Sequence, residues 1–423
     1  MVKFIEYFNF ALLLLFASCY AYQFVYLLVG LFKKEPAMPE DPKLHRFAVL
    51  IAARNESAVI GELLDSIRRQ NYPADLVDMY VIADNCTDNT GEVAEAHGAH
   101  VFRRFDQVKV GKGYALDYAF RQIGAMKGLR YYDGYIIFDA DNVLDRNYIR
   151  EMNRTFSLGY PVITSYRNSK NYDSNWLSAA YALWFIRESR FLNGARMKLG
   201  TSCAISGTGF LVSSETIEKD GGWKYSLLTE DIEFSTDHII RGDKIGYCSK
   251  AILYDEQPVD FRTSWNQRLR WTKGFYQVFG GYGRRLVSGC FRSHRLQCYD
   301  MLMTLAPGNL LTLVSLVLNA LFTLIGSVTS QGMIIAAACD GMVGCLVNVY
   351  ISLITFGAIT LVTEHKRIHC KMGKQIRYLF AFPIYIFTYI PMTVVALFRN
   401  VTWKPVTHTV VRSAEQICEE GKE

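Results

Sequence analysis

The segment Tyr135–Asp145, YIIFDADNVLD, is a hydrophobic run that ends in two carboxylates, Asp139 and Asp141, with one alanine between them. Alternate side chains of a β-strand share a face, so acids two apart at a strand's end point the same way and repel unless a cation sits between them. A hard divalent ion is bound in this manner, by one or two carboxylates with water and a phosphate-bearing substrate filling the other positions. A solvated turn is the alternative for this stretch alone, since Asp and Asn are common where strands stop.

Four other polar groups lie nearby in the same part of the chain. AARNES (52–57) follows an apolar run and opens a helical one, with Asn55 or Ser57 placed to cap it. ADNCTDNT (83–90) again follows a strand pattern. GKGYALD (111–117) puts Lys112 between glycines at a helix start, where ammonium and helix N-terminus together can meet a phosphate. In LLTEDIEF, Glu230 and Asp231 interrupt an apolar helix start; Thr229 as N-cap with acids in the first turn accounts for the residue types but not for their company. A divalent cation on a nucleotide diphosphate, next to a free carboxylate base, is what glycosyl transfer from a nucleotide sugar requires. Further along, QRLRW (267–271) reads either as a snorkelling basic-aromatic interface helix or as a binding group. In the second reading Gln267 donates to a diphosphate, Arg270 faces it bidentately, and Trp271 offers a flat floor to a sugar ring.

These residues need a scaffold, and the chain supplies one. Strand patterns FAVLIAA, DMYVIAD and GYIIFDA alternate with helical patterns AVIGELLDSIRRQ and GKGYALDYAFRQIGAM. That alternation predicts an α/β domain over residues 44–260 with a mostly parallel sheet, whose ligands bind beyond the carboxyl ends of the strands.

Around this domain the composition changes. The chain is 50% hydrophobic and 14% aromatic over 423 residues, rich for a soluble protein. Residues 1–36 predict a membrane anchor that runs on past any cleavage-like site. Residues 261–298 predict amphipathic interfacial helices carrying QRLRW, residues 299–400 membrane helices, and residues 401–423 a tail. The lysines after the first span place the α/β domain in the cytosol. One conflict stands: counting spans puts the tail outside, whereas its basic residues argue for inside. The net charge of +6 is scattered, with no basic stripe interleaved with aromatics, so nucleic acid is not an expected partner. The ten cysteines show no zinc spacing and read as core residues of a reducing compartment; the sequons at Asn55, Asn85 and Asn153 read as chance matches.

The ordered set ADNCTD, DAD, TED and QRLRW, between membrane helices, resembles the family 2 inverting glycosyltransferases of the processive membrane type: cellulose, hyaluronan and chitin synthases and bacterial β-glucan synthases. The resemblance implies a GT-A fold and an integral plasma-membrane enzyme. It would use a UDP-sugar, UDP-glucose first and UDP-N-acetylglucosamine second, with Mg²⁺ or Mn²⁺, on a growing polysaccharide acceptor. It gives Asp84 to the uridine side of UDP, with Lys112 near the nucleotide, and Asp139 and Asp141 to the sugar-diphosphate and metal. The TED pair Glu230 and Asp231 becomes catalytic, with Asp231 the general base. Gln267 and Arg270 go to the diphosphate, and Trp271 with Ser206, Gly207 and Thr208 to the acceptor. Trp403 and His408 in WKPVTHT would gate the nucleotide pocket. Two departures weaken the nucleotide end: Arg54 stands where an aromatic is usual, and Asp84 is preceded by Ala83. The same motifs also suit a transferase acting on a lipid acceptor; the oligomeric state stays open.

Overall fold

A computed structural model describes residues 1–39, 42–292 and 295–420. Eight strands form one sheet in the order β3-β2-β1-β4-β7-β6-β8-β5: β1 Phe47–Ala53, β2 Val77–Asp84, β3 His100–Arg104, β4 Gly134–Asp139, β5 Val143–Leu144, β6 Val162–Ser169, β7 Phe210–Ser213 and β8 Ile245–Asp255. The first four in that order run parallel, as the βα alternation predicts. The sheet as a whole is mixed, because β7 is antiparallel to both β4 and β6, and β5 is antiparallel to β8. The short β7 follows the SGTG loop directly, so no helical crossover forces it parallel.

Central strands are buried on both faces: Phe47, Val49, Ile51, Ile136 and Phe138 pack one side, and Leu50, Ile137, Leu116 and Phe120 the other. Two-sided burial is why FAVLIAA and YIIFD read as continuous apolar runs rather than alternating ones. The polar strand ends all emerge at one edge.

Among the described residues, four stretches are long and apolar enough to cross a membrane: Val2–Phe32, Pro307–Val328, Gly332–Arg367 and Met372–Phe398. The last differs from the others. It breaks into helices Met372–Leu379, Phe382–Phe387 and Tyr389–Phe398, with Pro383 in the first turn of the second. These lie against helix Trp176–Arg187 of the α/β domain and along helix Phe261–Gly289. Arg268 donates to the Tyr385 carbonyl at 3.0 Å, Lys273 to that of Ala396 at 2.9 Å, and Tyr276 to that of Thr393 at 2.9 Å. Helix Phe261–Gly289 thus holds the segment against the α/β domain, and the segment also packs on Pro307–Val328 and Gly332–Glu364. The tail beyond it returns to the strand ends of the α/β domain, where His408 bonds Glu56 at 3.0 Å.

Two local expectations are corrected. Asn55 and Ser57 do not cap the helix Ile60–Arg68, whose N-cap is Val59 without a side-chain bond. Asn55 instead takes φ 58°, and its side-chain oxygen accepts the Thr87 N–H at 2.8 Å; Asn85 takes φ 54° and accepts the Asp106 N–H at 2.9 Å. Asn tolerates this left-handed conformation because its amide can bond the backbone locally. Nor does Thr229 cap Glu230–Arg241 through its hydroxyl, which is buried without a hydrogen-bond partner. All ten cysteines are free.

Candidate active site

The loops at the carboxyl ends of β1, β2, β4 and β8 converge on one cleft. Its centre is Lys112, the first residue of helix Lys112–Lys127. Its ammonium forms an ion pair with Asp139 and donates to the Gly207 carbonyl at 2.7 Å. The glycines around it are structural: a Cβ on Gly113 would sit 2.1 Å from the Tyr225 carbonyl oxygen, and Gly111 has φ 135°.

Asp139 and Asp141 are not equivalent. Asp139 is the last residue of β4 and its side chain is 38% exposed, whereas Asp141 lies in the following turn at 4%. Asp141 accepts the Glu256 N–H at 3.1 Å and faces His408 Nε2 at 3.9 Å. The Asp139 backbone N–H donates to the Thr208 hydroxyl oxygen at 2.9 Å. Among the described residues no three His, Cys, Asp or Glu side chains form a ready-made metal cage. The donor set nevertheless fits Mg²⁺ or Mn²⁺ held by two carboxylates with phosphate and water completing the shell. Lys112 pairs with Asp139 and His408 faces Asp141, and the charges of Arg167 and Lys170 also act on these acids. His408 bonds Glu56 at 3.0 Å, and the surrounding carboxylates, Asp141 foremost, outweigh burial and hold its pKa near about 10.

Asp231 and Glu230 are half-buried and lie within reach of the Lys112 charge. A Cβ built on Gly207, whose φ is 75°, would lie 3.7 Å from Asp231 Oδ2, so this carboxylate faces the SGTG loop. Burial pushes both carboxyls up, Glu230 to about 7 with the charge of Asp231 adding to the shift, while Lys112 and Arg270 oppose it in both. Arg270 donates to the Leu228 carbonyl at 3.0 Å, and Gln267 Oε1 is buried with no hydrogen-bond partner. Trp271 lies edge-on to Tyr181 and Phe185, centroids 5.9 and 6.1 Å away, where helix Phe261–Gly289 meets Trp176–Arg187. Ser206 accepts from Arg167 at 2.9 Å through its carbonyl, and Thr208 is bound to Asn142.

Asp84 is more committed than its sequence context suggests. It is 5% exposed and paired at 2.5 Å with Arg104, which also donates to the Lys109 carbonyl at 2.6 Å. Its carboxylate therefore fixes the loop that leads to Lys112. Burial pushes its pKa up against the opposing pull of Arg104.

The tail closes one wall. Trp403 covers the Arg54 guanidinium at 5.4 Å, so an aromatic reaches Arg54 from the far end of the chain. Glu256 accepts the backbone N–H groups of Thr409 and Val410 at 3.1 and 2.9 Å. Sequence reasoning missed this strap's partners, Glu56 and Glu256, and the buried network behind the site. There Asp255 accepts from Arg167 Nε at 2.8 Å, Asn142 at 3.1 Å and Gln257 at 2.9 Å, and burial raises its pKa to about 6. A signal existed: AILYD ends an apolar strand in Asp, as YIIFD does.

Comparison with known proteins places this geometry. A family model described as glycosyltransferase like family 2 matches residues 45–274, more than half of the chain. The chain is 24% identical over 247 residues to a beta-monoglucosyldiacylglycerol synthase of Synechocystis, covering 56% of this chain and 49% of that one. It is 27% identical over 250 residues to a poly-beta-1,6-N-acetyl-D-glucosamine synthase of Staphylococcus epidermidis, covering 56% and 57%. The chain thus spans about half the length of the curated relatives it matches. The mannosyltransferase PcManGT of Pyrobaculum calidifontis, solved with GDP-Man and Mn²⁺, shares the fold with a TM-score of 0.53 at 15% identity, over 93% of this chain and 99% of that one. With a GT-A-like mixed sheet, membrane-length helices on both sides of it and a family match that runs from β1 through QRLRW, the chain is a glycosyltransferase and belongs to family 2.

Proposed function

We propose that the chain is an inverting, membrane-integrated synthase that transfers hexose from a UDP-sugar, UDP-glucose first, to a growing β-linked polysaccharide and passes it across the membrane, with the cleft facing the cytosol. The observation that carries this reading is the order of groups around Lys112. Its ammonium joins Asp139 to the Gly207 carbonyl, and the Gly207 loop faces Asp231. One lysine thereby ties the metal-binding acid to the loop beside the base.

In this mechanism Asp231 accepts the proton of the attacking hydroxyl, and burial, which raises its pKa above the ordinary carboxylate value, makes it a stronger base for that task. Gln267 and Arg270 bind the diphosphate, Trp271 and the Ser206–Thr208 loop seat the acceptor sugar, and Lys112 orients Asp139. Mg²⁺ or Mn²⁺ on Asp139 and Asp141 would supply charge neutralisation for the departing UDP. A single in-line displacement on an α-linked donor gives a β product. Asp84 serves the uridine end through the loop it fixes, and the strap carrying Trp403 and His408 acts as a lid over the nucleotide.

A lipid acceptor is the second reading, favoured by the glucosyldiacylglycerol synthase among the relatives; UDP-N-acetylglucosamine is the second donor, after the polymer synthase. Incubating the purified protein with each UDP-sugar, sizing the product and digesting it with linkage-specific hydrolases decides between them. A long hydrolase-sensitive polymer from UDP-glucose is expected. A product of one sugar on a lipid, or none, overturns the polymer reading.

A further inference from the structure

We propose that a cavity of about 280 Å³ where the membrane helices meet the catalytic domain binds the phosphate headgroup of an anionic lipid. Arg190, Lys366, Arg367, Glu35, Tyr247 and Ser249 line it. It is remote in sequence from every residue assigned above to the transfer reaction, and its volume would hold roughly nine waters or one phosphate with its substituents.

The charges are unevenly matched. Glu364 is buried and serves two cations, with Arg190 Nε at 3.0 Å and Arg367 Nη1 at 3.3 Å, while also accepting from Tyr166 at 2.8 Å. Glu35 accepts from the Ser249 hydroxyl at 2.8 Å. Lys366 is exposed and makes no ion pair among the described residues. Three cations therefore face two carboxylates. Tyr247 adds an independent sign: it is 3% exposed and its hydroxyl has no hydrogen-bond partner. A buried O–H left unpaired is costly, and an anionic oxygen in the cavity would accept its hydrogen bond.

The position selects a lipid over a soluble anion. Lys366 and Arg367 directly follow the membrane-length helix Gly332–Glu364, and Glu35 lies three residues beyond the end of Tyr22–Phe32. Val362 and Phe32, one turn or less toward the apolar segments, are 71% and 79% exposed. At about 1.5 Å per residue, Val362 lies roughly 6 Å from Lys366 along the axis, so a phosphate among the cations would leave its acyl chains beside exposed apolar side chains. Basic pockets between membrane helices at the water boundary suit such headgroups.

The test is lipid retention by the purified full-length chain, read by native mass spectrometry with phosphatidylglycerol or phosphatidylcholine added, so it is independent of sugar transfer. Phosphatidylglycerol should be retained at about tenfold lower concentration than phosphatidylcholine. Lys366→Gln and Tyr247→Phe should each weaken that preference several-fold while UDP binding is unchanged. Arg190 and Arg367 are left intact because each neutralises buried Glu364. Equal retention of the two lipids, or an unchanged preference in both variants, overturns the assignment. So does full displacement of phosphatidylglycerol by millimolar inorganic phosphate, which would make the cavity a soluble-anion site.

Discussion

Replacing Asp231 with Asn tests the proposed base most directly, because the change keeps the side chain's shape and removes its proton affinity. General-base catalysis contributes typically about 10² to 10⁴-fold, or about 2.7 to 5.5 kcal/mol of barrier. The competing explanation is structural: Asp231 sits in the first turn of Glu230–Arg241, where a negative charge is worth about 0.3 to 1 kcal/mol. Against a domain stability of about 5 kcal/mol or more, losing 1 kcal/mol leaves over about 99% of the protein folded. Asn also relieves the repulsion with Glu230, so the true cost is smaller. A loss of stability therefore cannot imitate a hundredfold loss of rate. The assay is UDP release per mole of UDP-binding protein, with kcat and KM for the donor measured separately. The expected result is a drop of about 10² to 10⁴-fold in kcat with donor affinity within a few-fold, since the carboxylate faces the SGTG loop rather than the nucleotide end. The parent's rate should fall with acid through a pKa above the ordinary carboxylate range, and the variant should lack that limb. A specific rate within about threefold of the parent, or equal losses in rate and donor affinity, refutes the argument.

Asp139→Asn and Asp141→Asn should each reduce turnover by about 10²-fold or more and weaken UDP binding, and chelation should silence the parent until Mg²⁺ or Mn²⁺ is restored; full activity in excess chelator rejects this. Glu230 titrates near 7 in the fold against 4.5 unfolded, so the unfolded chain ionises first and stability falls as pH rises through that window. Glu230→Gln should consequently raise Tm at pH 8 and leave it unchanged near pH 4, whereas a Tm gain independent of pH would remove the titration from the explanation. A cysteine at the exposed Thr407 should react with impermeant reagents from the cytosolic side and more slowly with UDP bound, and labelling only from outside the cell would exclude the lid.

Sequence alone settled the features that depend on local order. Strand-ending acids, a glycine-flanked lysine, TED and QRLRW are short motifs whose backbone context is fixed within a few residues, and two-sided burial makes the strands that carry them continuously apolar. The family and the α/β core were legible for that reason. Tertiary structure decided what depends on contacts between distant segments. The inequality of Asp139 and Asp141 arises because the strand stops between them and Glu256, over a hundred residues away, claims the second. Asp84 is occupied because Arg104 lies on the neighbouring strand. Hydropathy scores Met372–Phe398 by composition alone, whereas Arg268 and Lys273 of the helix Phe261–Gly289 bind its carbonyls and hold it beside that helix. That path returns Trp403 and His408 to a cleft built mostly from residues 47–271, a meeting that no local pattern encodes.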